Sequence, residues 1–304
     1  MSNTSLAVKY RPQHLGQFLG NEATVHSLKA TLEREEIPHS MLFTGPSGCG
    51  KTTLARIVAA KLRCSKFDLT ELNTADFRGI DTIRDLIRVS SLAPMSGPCR
   101  VWIMDECHQL SKDAQHALLK LLEDSPKHAY LLLATTEPDK LLATIKTRCV
   151  TFDLQPLPDK EMRGLVMRTV DAENAEVPEE VVDQIVQDSL GSPRMALTIL
   201  DKVIGMTQDA MLEAAQQQAV QQNEAIELCR ALIQKRPWPQ VAKTLKGLSQ
   251  DPEQVRRAVL GYASSVLLGK DAGQAYIVMM AFKEPLYDTG RPGLVMACYE
   301  AVNG

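Results

Sequence analysis

Hydrophobic residues in the first half of the chain fall into short runs that are separated by longer amphipathic stretches. The runs predict five strands, at residues 40–44, 68–73, 99–104, 129–134 and 150–154. Most of these runs are apolar without alternation, which is typical of a parallel sheet covered by helices on both faces. The main helices predicted between them cover residues 22–36, 51–62 and 112–123. This half of the chain is therefore expected to form an α/β domain.

The pattern changes at Pro156 and Pro158, beyond which no further strand is predicted. Three helices are expected next, at residues 160–172, 179–189 and 193–204. Gly205 separates them from a longer helical remainder. The pattern thus predicts three domains: an α/β domain over 1–154, a three-helix domain over 155–207 and an all-α domain over 208–304.

Composition and charge exclude several classes of protein. The 304 residues include 34 Lys and Arg against 37 Asp and Glu, a net charge of −3, and 44% are hydrophobic. This composition is too apolar for a disordered chain, and the charge weighs against a protein coated in nucleic acid without excluding a local basic surface. No apolar run approaches the ~20 residues that span a bilayer, so we expect no membrane contact and a cytoplasmic location.

Seven cysteines are scattered along the chain without a C-x-x-C pair. Their spacing favours buried free thiols over a redox pair or a zinc site. Cys107 and His108 are adjacent, but no second pair of potential ligands lies near them in sequence. We therefore expect no zinc.

A glycine-rich turn between the first predicted strand and the following helix has the pattern G-x-x-x-x-G-K-T. Its residues are Gly45, Pro46, Ser47, Gly48, Cys49, Gly50, Lys51 and Thr52. Glycines allow successive backbone N–H groups to surround phosphate oxygens, and the positive end of the next helix points to the same place. Lys51 is expected to bridge the β- and γ-phosphates, and the Thr52 hydroxyl to bind Mg²⁺. An ordinary glycine-rich turn is the weaker interpretation, because this one follows a strand and opens a helix.

Two carboxylates, Asp105 and Glu106, follow the third predicted strand. A phosphate-binding loop needs a carboxylate on a neighbouring strand to hold Mg²⁺ through water, and Asp105 suits this role. Glu106 can then act as the general base for an attacking water. The alternative is a pair of carboxylates that caps the next turn, which the nearby phosphate-binding pattern disfavours.

Six motifs follow one another in an order that resembles a single protein family. They are residues 9–12 with 18–21, the glycine-rich turn, residues 73–81, 105–124, 132–138 with 147–149, and 191–197. They resemble the AAA+ ATPase subunits of DNA sliding-clamp loaders, of the bacterial gamma/tau type and the replication factor C small-subunit type. The resemblance implies an AAA+ P-loop domain with a five-stranded parallel sheet, a three-helix lid and an all-α oligomerisation collar. The last hundred residues fit the collar only in length and class.

The resemblance further implies a site for ATP and Mg²⁺, with Thr52 and, through water, Asp105 as the metal-binding residues. Catalytic roles fall on Lys51, Asp105, Glu106, Thr136, Arg148 and Arg194. Contacts with ATP fall on Val8, Tyr10, Arg11, Pro12, Gly45, Pro46, Ser47, Gly48, Cys49, Gly50, Lys51, Thr52, Thr53, Pro193 and Arg194. Thr136 corresponds to sensor 1, Arg194 to sensor 2, and Arg148 to an arginine finger that acts on a neighbouring subunit's nucleotide.

The partners implied are a sliding clamp, primer–template DNA and other loader subunits in a ring or spiral, expected to be a pentamer. Arg78 and Arg84 match basic positions that contact template phosphates without reading sequence. In the alternative, Arg84 and Arg88 pair with Asp81 and Asp85 on a solvated helix face.

Residues 92–98 form an apolar segment, and we expect Leu92 and Met95 to contact the clamp. One departure concerns the four-cysteine zinc module that the gamma/tau type carries after the P-loop helix. In this chain Cys64 stands alone there and cannot hold zinc. A compact phage or divergent cellular homologue would explain the departure, with action at the nucleoid or in a host cytoplasm.

We therefore expect an ATP-hydrolysing clamp-loader subunit that loads a polymerase clamp during DNA replication. Two alternatives remain open. Another AAA+ motor, such as a branch-migration helicase, would need a winged-helix-like module at its C-terminal end, where a helical tail is predicted. A catalytically silent scaffold subunit would be expected to lack Lys51, Glu106 or Arg148, and all three are present.

Overall fold

A computed structural model describes residues 4–74, 79–208, 210–215, 225–248, 250–269 and 273–303. The chain forms two compact units. One is Tyr10–Leu157, called here the α/β unit, and the other is the helical unit, which combines Pro158 onward with Lys9 and the described residues before it. The helical unit thus includes both of the segments predicted as separate helical domains, and the division at 154 and 207 stays a prediction.

The α/β unit is built on one five-stranded sheet. Its strands are Ser40–Thr44 (β1), Leu69–Asn73 (β2), Arg100–Asp105 (β3), Ala129–Thr135 (β4) and Val150–Asp153 (β5). The strand order is β2-β3-β4-β1-β5, and every neighbouring pair is parallel. The predicted five-stranded parallel sheet is confirmed. Because all strands run the same way, their carboxyl ends meet at a single edge of the sheet.

Burial along the strands follows their position in the sheet. All five residues of β1 are buried, and β3 and β4 are buried at nearly every position, whereas the edge strands β2 and β5 are partly exposed. Successive side chains point to opposite faces, so Leu42 and Phe43 enter different cores. The core around Phe43 includes Val58, and the core around Leu42 includes Leu118. The apolar runs of the sequence therefore reflect strands with no solvent face.

Six of the described helices come before β5 in the chain. They are Leu6–Lys9 (α1, in the helical unit), Glu22–Leu32 (α2), Lys51–Lys61 (α3), Ile80–Ser90 (α4), Lys112–Glu123 (α5) and Ala143–Lys146 (α6). Three short 3-10 turns also occur, at Leu15–Gln17, Cys107–Gln109 and Pro138–Lys140.

Helix α5 agrees with its sequence signals, whereas α2 is shorter than predicted. Ser111 caps α5, and its hydroxyl accepts a hydrogen bond from the N–H of Ala114 at 3.2 Å. The prediction that α2 continues to residue 36 is wrong, because the helix ends at Leu32. Glutamates follow at positions 33, 35 and 36. A helix continued to residue 36 would place Glu33 and Glu36 on one face, where their like charges repel, which favours the earlier end.

The helical unit contains α1 and eight further helices that the structure describes in full. They are Asp159–Ala172 (α7), Glu179–Asp188 (α8), Pro193–Val203 (α9), Ala225–Ile233 (α10), Trp238–Gly247 (α11), Pro252–Gly269 (α12), Gly273–Ala281 (α13) and Gly290–Asn303 (α14). Helices α7 to α9 pack against one another, and α10 to α14 share a core that includes Leu228, Tyr262 and Phe282. Among the described residues, no helix is both long enough and apolar enough to cross a bilayer.

Polar contacts join the two groups of helices within this unit. Asp188 of α8 is fully buried and forms an ion pair with Arg230 of α10. Burial raises the pKa of the Asp188 carboxyl, and the guanidinium of Arg230 opposes that rise. Ser265 of α12 donates a hydrogen bond to Asp159 of α7 at 2.6 Å. The three-helix segment is thus attached to the last helices through a buried charge pair and a hydroxyl–carboxylate bond.

A second buried carboxylate, Glu253, organises the start of α12. Both of its oxygens accept hydrogen bonds from Arg256, at 2.7 and 2.8 Å, and the N–H of Leu286 donates to it at 2.9 Å. The guanidinium of Arg256 also reaches the carbonyl of Phe282, at 3.0 Å, just beyond the end of α13. Burial by itself would raise the pKa of Glu253, but these donors and Arg257 outweigh it and lower the pKa from 4.5 to about 2.

We predict that Glu253→Gln lowers the free energy of unfolding by about 3 kcal/mol near pH 7, because Arg256 loses its charge partner. A folded-state pKa below the unfolded value stabilises the protein above the unfolded pKa. The difference from wild type should therefore shrink as the pH falls below 4.5 and vanish near pH 2. Urea denaturation at several pH values measures it. The control is Glu284→Gln, whose side chain is 80% exposed. A difference that does not depend on pH would contradict the assignment.

Candidate nucleotide-binding site

The glycine-rich turn after β1 requires glycine at two positions on steric grounds. Gly45 has φ +133°, and a Cβ there would lie 2.3 Å from the carbonyl oxygen of Leu154. Gly50 has φ +105°, and a Cβ there would lie 2.7 Å from the ring of Phe18. Both backbone conformations also disfavour side chains. The spacing of glycines in the pattern therefore reflects a tightly folded loop between β1 and α3, which is the context that phosphate binding requires.

Lys51, the first residue of α3, lies inside this loop with only 5% of its surface exposed. Its ammonium donates hydrogen bonds to the carbonyl oxygens of Gly45 and Pro46, each at 2.8 Å. A buried ammonium needs such oxygen partners. Cys49 is buried beside it, and burial raises the pKa of this thiol to about 11 against the opposing charge of Lys51. The thiol is thus protonated at neutral pH and is a packing group rather than a nucleophile.

Thr52 and Asp105 come together from different elements. The Thr52 hydroxyl, in the first turn of α3, donates a hydrogen bond to the Asp105 carboxylate at 2.7 Å. Asp105 is the last residue of β3, two strands away from β1 in the sheet. A hydroxyl and a carboxylate beside a phosphate-binding loop are the oxygen ligands that Mg²⁺ prefers, so this pair fits the metal. The contact links the glycine-rich turn to the acidic strand end.

Glu106 occupies a turn with left-handed backbone geometry, φ +51°. The buried Thr74 stabilises this turn with two hydrogen bonds. Its hydroxyl donates to the carbonyl oxygen of Glu106 at 2.6 Å, and its N–H donates to the carbonyl oxygen of Asp105 at 3.0 Å. Thr136, immediately after β4, donates a hydrogen bond from its hydroxyl to Oε2 of Glu106 at 3.0 Å. The proposed general base and the proposed sensor 1 residue are therefore in direct contact.

The structure thus gathers five predicted residues at the carboxyl edge of the sheet: Lys51, Thr52, Asp105, Glu106 and Thr136. Two further residues at this edge escaped the sequence analysis. Thr74 lies inside the 73–81 motif, but nothing in the sequence indicates its contact with the turn at Glu106. His108 lies two residues after Glu106, and the sequence pattern suggested only a metal-ligand role for it.

Arg148 lies at the opposite edge of the sheet. It precedes β5, whose first residue, Val150, pairs with Met41 at the start of β1, whereas the phosphate-binding loop follows the end of β1. Its guanidinium forms an ion pair with Glu123, at the end of α5, and donates to the carbonyl of Thr144 at 3.0 Å. Its side chain borders a surface cleft that Glu123 also lines. Arg148 therefore lies away from the phosphate-binding loop of its own chain, which is at the other edge of the sheet.

The remaining residues predicted to contact ATP are divided between the two units. The α/β unit contains Tyr10, Arg11 and Pro12, together with Ser47, Gly48 and Thr53 of the loop and α3. The helical unit contains Val8, Pro193 and Arg194. Arg194 is exposed in the first turn of α9. Ser192 caps this helix by accepting a hydrogen bond from the N–H of Met195 at 3.3 Å. Arg194 thus occupies the helix start that the sequence predicted for it.

Arg78, one of the two expected DNA contacts, lies outside the described residues. The other, Arg84, is exposed on α4 and lies 3.1 Å from Asp81. Arg88 makes the same kind of pair with Asp85, also at 3.1 Å. The solvated pairs of the alternative interpretation are therefore present. Exposed pairs of this type contribute only ~0–1 kcal/mol, so either arginine can exchange its carboxylate for a phosphate.

The segment suggested as a clamp contact is held by a buried carboxylate. Asp68, just before β2, accepts hydrogen bonds from the Ser65 hydroxyl at 2.6 Å and from the N–H of Met95 at 2.6 Å. The N–H groups of residues 96 and 97 also donate to it. These donors hold the pKa of Asp68 well below its usual range. They fix a loop on which Leu92 is 58% and Met95 77% exposed, and Phe67 beside Asp68 is 78% exposed.

The cysteines and histidines of the described residues do not converge on a metal site. No group of three or more His, Cys, Asp or Glu side chains with suitable geometry occurs among the residues that the structure describes. None of the seven cysteines, all of which the structure describes, forms a disulfide. Cys107, which the sequence analysis considered with His108 as a metal pair, is fully buried, and burial raises the pKa of its thiol far above the normal range.

Comparison with known proteins gives a consistent family. A family model described as DNA polymerase III, delta subunit, matches residues 68–158. The DNA polymerase III subunit gamma/tau of Mycobacterium tuberculosis is 34% identical over 224 residues, which are 66% of this chain and 39% of that protein. The DNA polymerase III subunit tau of Bacillus subtilis is 32% identical over 302 residues, 90% of this chain and 53% of that protein. The replication factor C small subunit of Methanothermobacter thermautotrophicus is 33% identical over 201 residues, 65% of this chain and 62% of that protein.

The chain therefore spans between 39% and 62% of the length of these relatives. Among solved structures, the Thermotoga maritima RuvB Holliday junction branch migration motor has a TM-score of 0.62 at 21% identity, covering 86% of this chain and 91% of that chain. A likeness at this level of identity concerns the fold alone. Together, the relatives, the matched family model and the ordered motifs show that the chain belongs to the AAA+ subunits of DNA clamp loaders, the family of the gamma/tau and replication factor C small subunits.

Proposed function

We propose that the chain is an ATP-hydrolysing subunit of a sliding-clamp loader, which opens a polymerase processivity clamp and places it on primer–template DNA during replication. The observation that carries this proposal is the pair of contacts at the carboxyl edge of the sheet, Thr52 with Asp105 and Thr136 with Glu106. These contacts place two hydroxyls and two carboxylates where a phosphoryl group and its metal ion would need them. The names of the relatives, subunits of DNA polymerase III and of replication factor C, support the role in replication.

In this proposal, backbone N–H groups of the loop and the Lys51 ammonium bind the β- and γ-phosphates of ATP. Thr52 and, through water, Asp105 would hold Mg²⁺, which would neutralise charge on the transferred phosphoryl group. Glu106 accepts a proton from the water that attacks the γ-phosphorus. The bond from that phosphorus to the bridging oxygen breaks, and ADP leaves with the electron pair. Thr136 orients the water or the γ-phosphate from the end of β4.

Arg148 completes the site of a neighbouring subunit. Its position at the amino edge of the sheet supports this assignment, because the loop of the same chain lies at the carboxyl edge. Glu123 is its partner in the isolated chain, and the γ-phosphate of the neighbour would replace that carboxylate in an assembly. The guanidinium then neutralises charge on the transferred phosphoryl group. We propose a ring or spiral, with a pentamer as the expected form, and a single chain that hydrolyses ATP slowly.

Arg194 acts as sensor 2 in the same proposal. An exposed arginine in the first turn of α9 carries the positive charge that a response to a γ-phosphate requires. Pro193 and, near the N-terminus, Val8, Tyr10, Arg11 and Pro12 are proposed to surround the adenine. Since α7 to α9 are tied to the last helices through Asp188 and Arg230, a response of the lid would be passed to the collar.

The DNA and the clamp are proposed partners with separate surfaces on the α/β unit. Arg84 on α4, with Arg78, is assigned to phosphates of the primer–template duplex. The loop fixed by Asp68, with Leu92 and Met95 exposed, is assigned to the clamp. An apolar loop that is held by a buried carboxylate loses little conformational entropy on binding, which favours such a role.

One alternative function predicts a different response to DNA. A branch-migration motor would share the AAA+ fold, as the likeness to RuvB illustrates, but it was expected to need a winged-helix-like module at its C-terminal end. The described residues from 225 onward form helices and contain no strand. A scaffold subunit without activity is disfavoured by the presence of Lys51, Glu106 and Arg148.

We expect ATP turnover by the full chain to rise when primed DNA and a sliding clamp from the same source are added. Lys51→Ala should abolish this turnover, because the β- and γ-phosphates lose their cation. Lys61→Ala, an exposed lysine at the end of the same helix, is the matched control and should behave as wild type. Release of phosphate measures the rates. Stimulation by a four-way junction instead of primed DNA would favour the motor, and no turnover in any mixture would favour the scaffold.

We expect complementation between two inactive variants. Arg148→Ala and Glu106→Gln should each lower turnover by at least about 100-fold. In an equal mixture, about a quarter of the interfaces join an intact Glu106 to an intact Arg148, so about a quarter of the wild-type turnover should return. Arg168→Ala, an exposed arginine on the helical unit, is the control for loss of a surface charge. A mixture as inactive as its components would contradict catalysis between subunits.

We expect Arg84→Ala to weaken binding of primer–template DNA by about two- to fivefold near 0.1 M salt, since one phosphate contact is lost. The slope of log affinity against log salt should fall in magnitude by about 0.9. Arg88→Ala removes an arginine from the same helix that is even more exposed than Arg84 and has the same kind of carboxylate pair, and it should leave binding unchanged. Fluorescence anisotropy over a salt series measures both. Equal weakening by the two variants would show that Arg84 has no particular role.

A further inference from the structure

The side chain of His108 lies between two carboxylates at the nucleotide site. It belongs to the short 3-10 turn Cys107–Gln109, immediately after Glu106, and only 8% of its surface is exposed. Its Nδ1 lies 3.4 Å from Oε2 of Glu106, and its Nε2 lies 3.3 Å from Oε1 of Glu137. The buried ring thus lies between Glu106, the proposed general base, and Glu137, which follows Thr136 in sequence.

Two closer contacts fix the ring between these carboxylates. Nδ1 lies 3.0 Å from the hydroxyl oxygen of Thr135, the last residue of β4, and that oxygen accepts the N–H of Glu137 at 3.0 Å. Nε2 lies 2.9 Å from the side-chain nitrogen of Gln109. The amide nitrogen of Gln109 is a donor, so we assign Nε2 as its acceptor and the ring proton to Nδ1, with Oε1 of Glu137 also 3.3 Å from Nε2. In this tautomer the N–H of the ring has its shorter contact with Thr135, at 3.0 Å, and Oε2 of Glu106 lies beyond it, at 3.4 Å.

The charges around the ring are consistent with a neutral imidazole. Burial lowers the pKa of His108, and the carboxylates of Glu106 and Glu137 oppose that effect. Glu137 has its own cation, Lys140, at 2.8 Å, so it does not depend on a proton from the ring. Glu106 has no ion pair with Lys or Arg among the described residues, and its carboxylate contacts only neutral donors, Thr136 and His108.

This arrangement gives Thr136 and His108 different roles toward Glu106. Thr136 is proposed to turn its hydroxyl to the γ-phosphate or the attacking water, and its contact with Oε2 of Glu106 would then be lost. His108 cannot move in this way, because the ring is buried and held by Thr135 and Gln109. A free glutamate side chain has many rotamers, and misplacing a catalytic group by about 1 Å can cost 10²-fold in rate.

We propose that His108 is a positioning residue for Glu106: its Nδ1–H keeps the carboxylate in place while Thr136 serves the phosphate. This inference rests on the proposed function, in which Glu106 is the general base for ATP hydrolysis. It replaces the metal-ligand interpretation that the sequence alone suggested for His108.

Three substitutions of His108 separate positioning from packing. Asparagine places its amide nitrogen near the position of Nδ1, whereas glutamine places it near Nε2. We expect His108→Ala and His108→Gln to lower kcat for ATP about tenfold, and His108→Asn to retain at least about a third of it. KM and the affinity for ATP should stay the same in all three, since the ring does not face the phosphates. His116→Asn, at an exposed position of α5, is the matched control.

The measurements are steady-state ATP turnover by the full chain with Mg²⁺ and primed DNA, and thermal unfolding of each variant. Glutamine and asparagine variants with equal kcat, or a loss of kcat that is matched by a loss of ATP affinity, would overturn the inference. If alanine prevents folding, the comparison of asparagine with glutamine still decides. Glu106→Gln is measured alongside the His108 variants. If Glu106→Gln leaves turnover unchanged, the proposed function itself fails. If Glu106→Gln is inactive while the His108 variants turn over ATP normally, only the role of His108 is contradicted.

Discussion

Parallel pairing of β1 with both β4 and β5 is the constraint on which the α/β unit depends. Thr44 lies opposite Thr135 on one side and Asp153 on the other, so the loop that follows β1 begins beside the ends of both neighbours. The end of β3 lies one strand further, within reach of the first turn of α3. A shift of register by one residue would exchange the two faces of the sheet and separate these groups. Packing of the hydrophobic cores therefore also fixes the chemistry.

Much of this unit could be predicted because its signals are local. The continuous apolar runs gave β1, β3 and β4, Ser111 and Pro126 bounded α5, and the glycine-rich turn stood where a strand meets a helix. Local patterns report burial and caps, and these are properties of consecutive residues.

The polar contacts could not be predicted in the same way. Thr74 bonds to a turn more than 30 residues away, and Asp68 binds backbone N–H groups of residues 95–97. His108 meets Thr135 only because β3 and β4 are neighbours. Helix α2 shows a different limit, since its periodicity continues into residues 33–36, whose like charges disfavour a longer helix. Pairing between distant segments, rather than sequence pattern, decides which polar groups share a site.

Arg148 and the phosphate-binding loop lie at opposite edges of one sheet, which makes each chain directional. When such chains associate in a row, every contact is head to tail, and the two partners use different surfaces. A row that does not close has one loop without an arginine at one end and one arginine without a loop at the other. If Arg148 completes the site of its neighbour, as proposed above, the number of competent sites is then one fewer than the number of chains, and it equals that number only in a closed ring. Under that proposal, the position of a single side chain couples the count of working sites to the closure of the assembly.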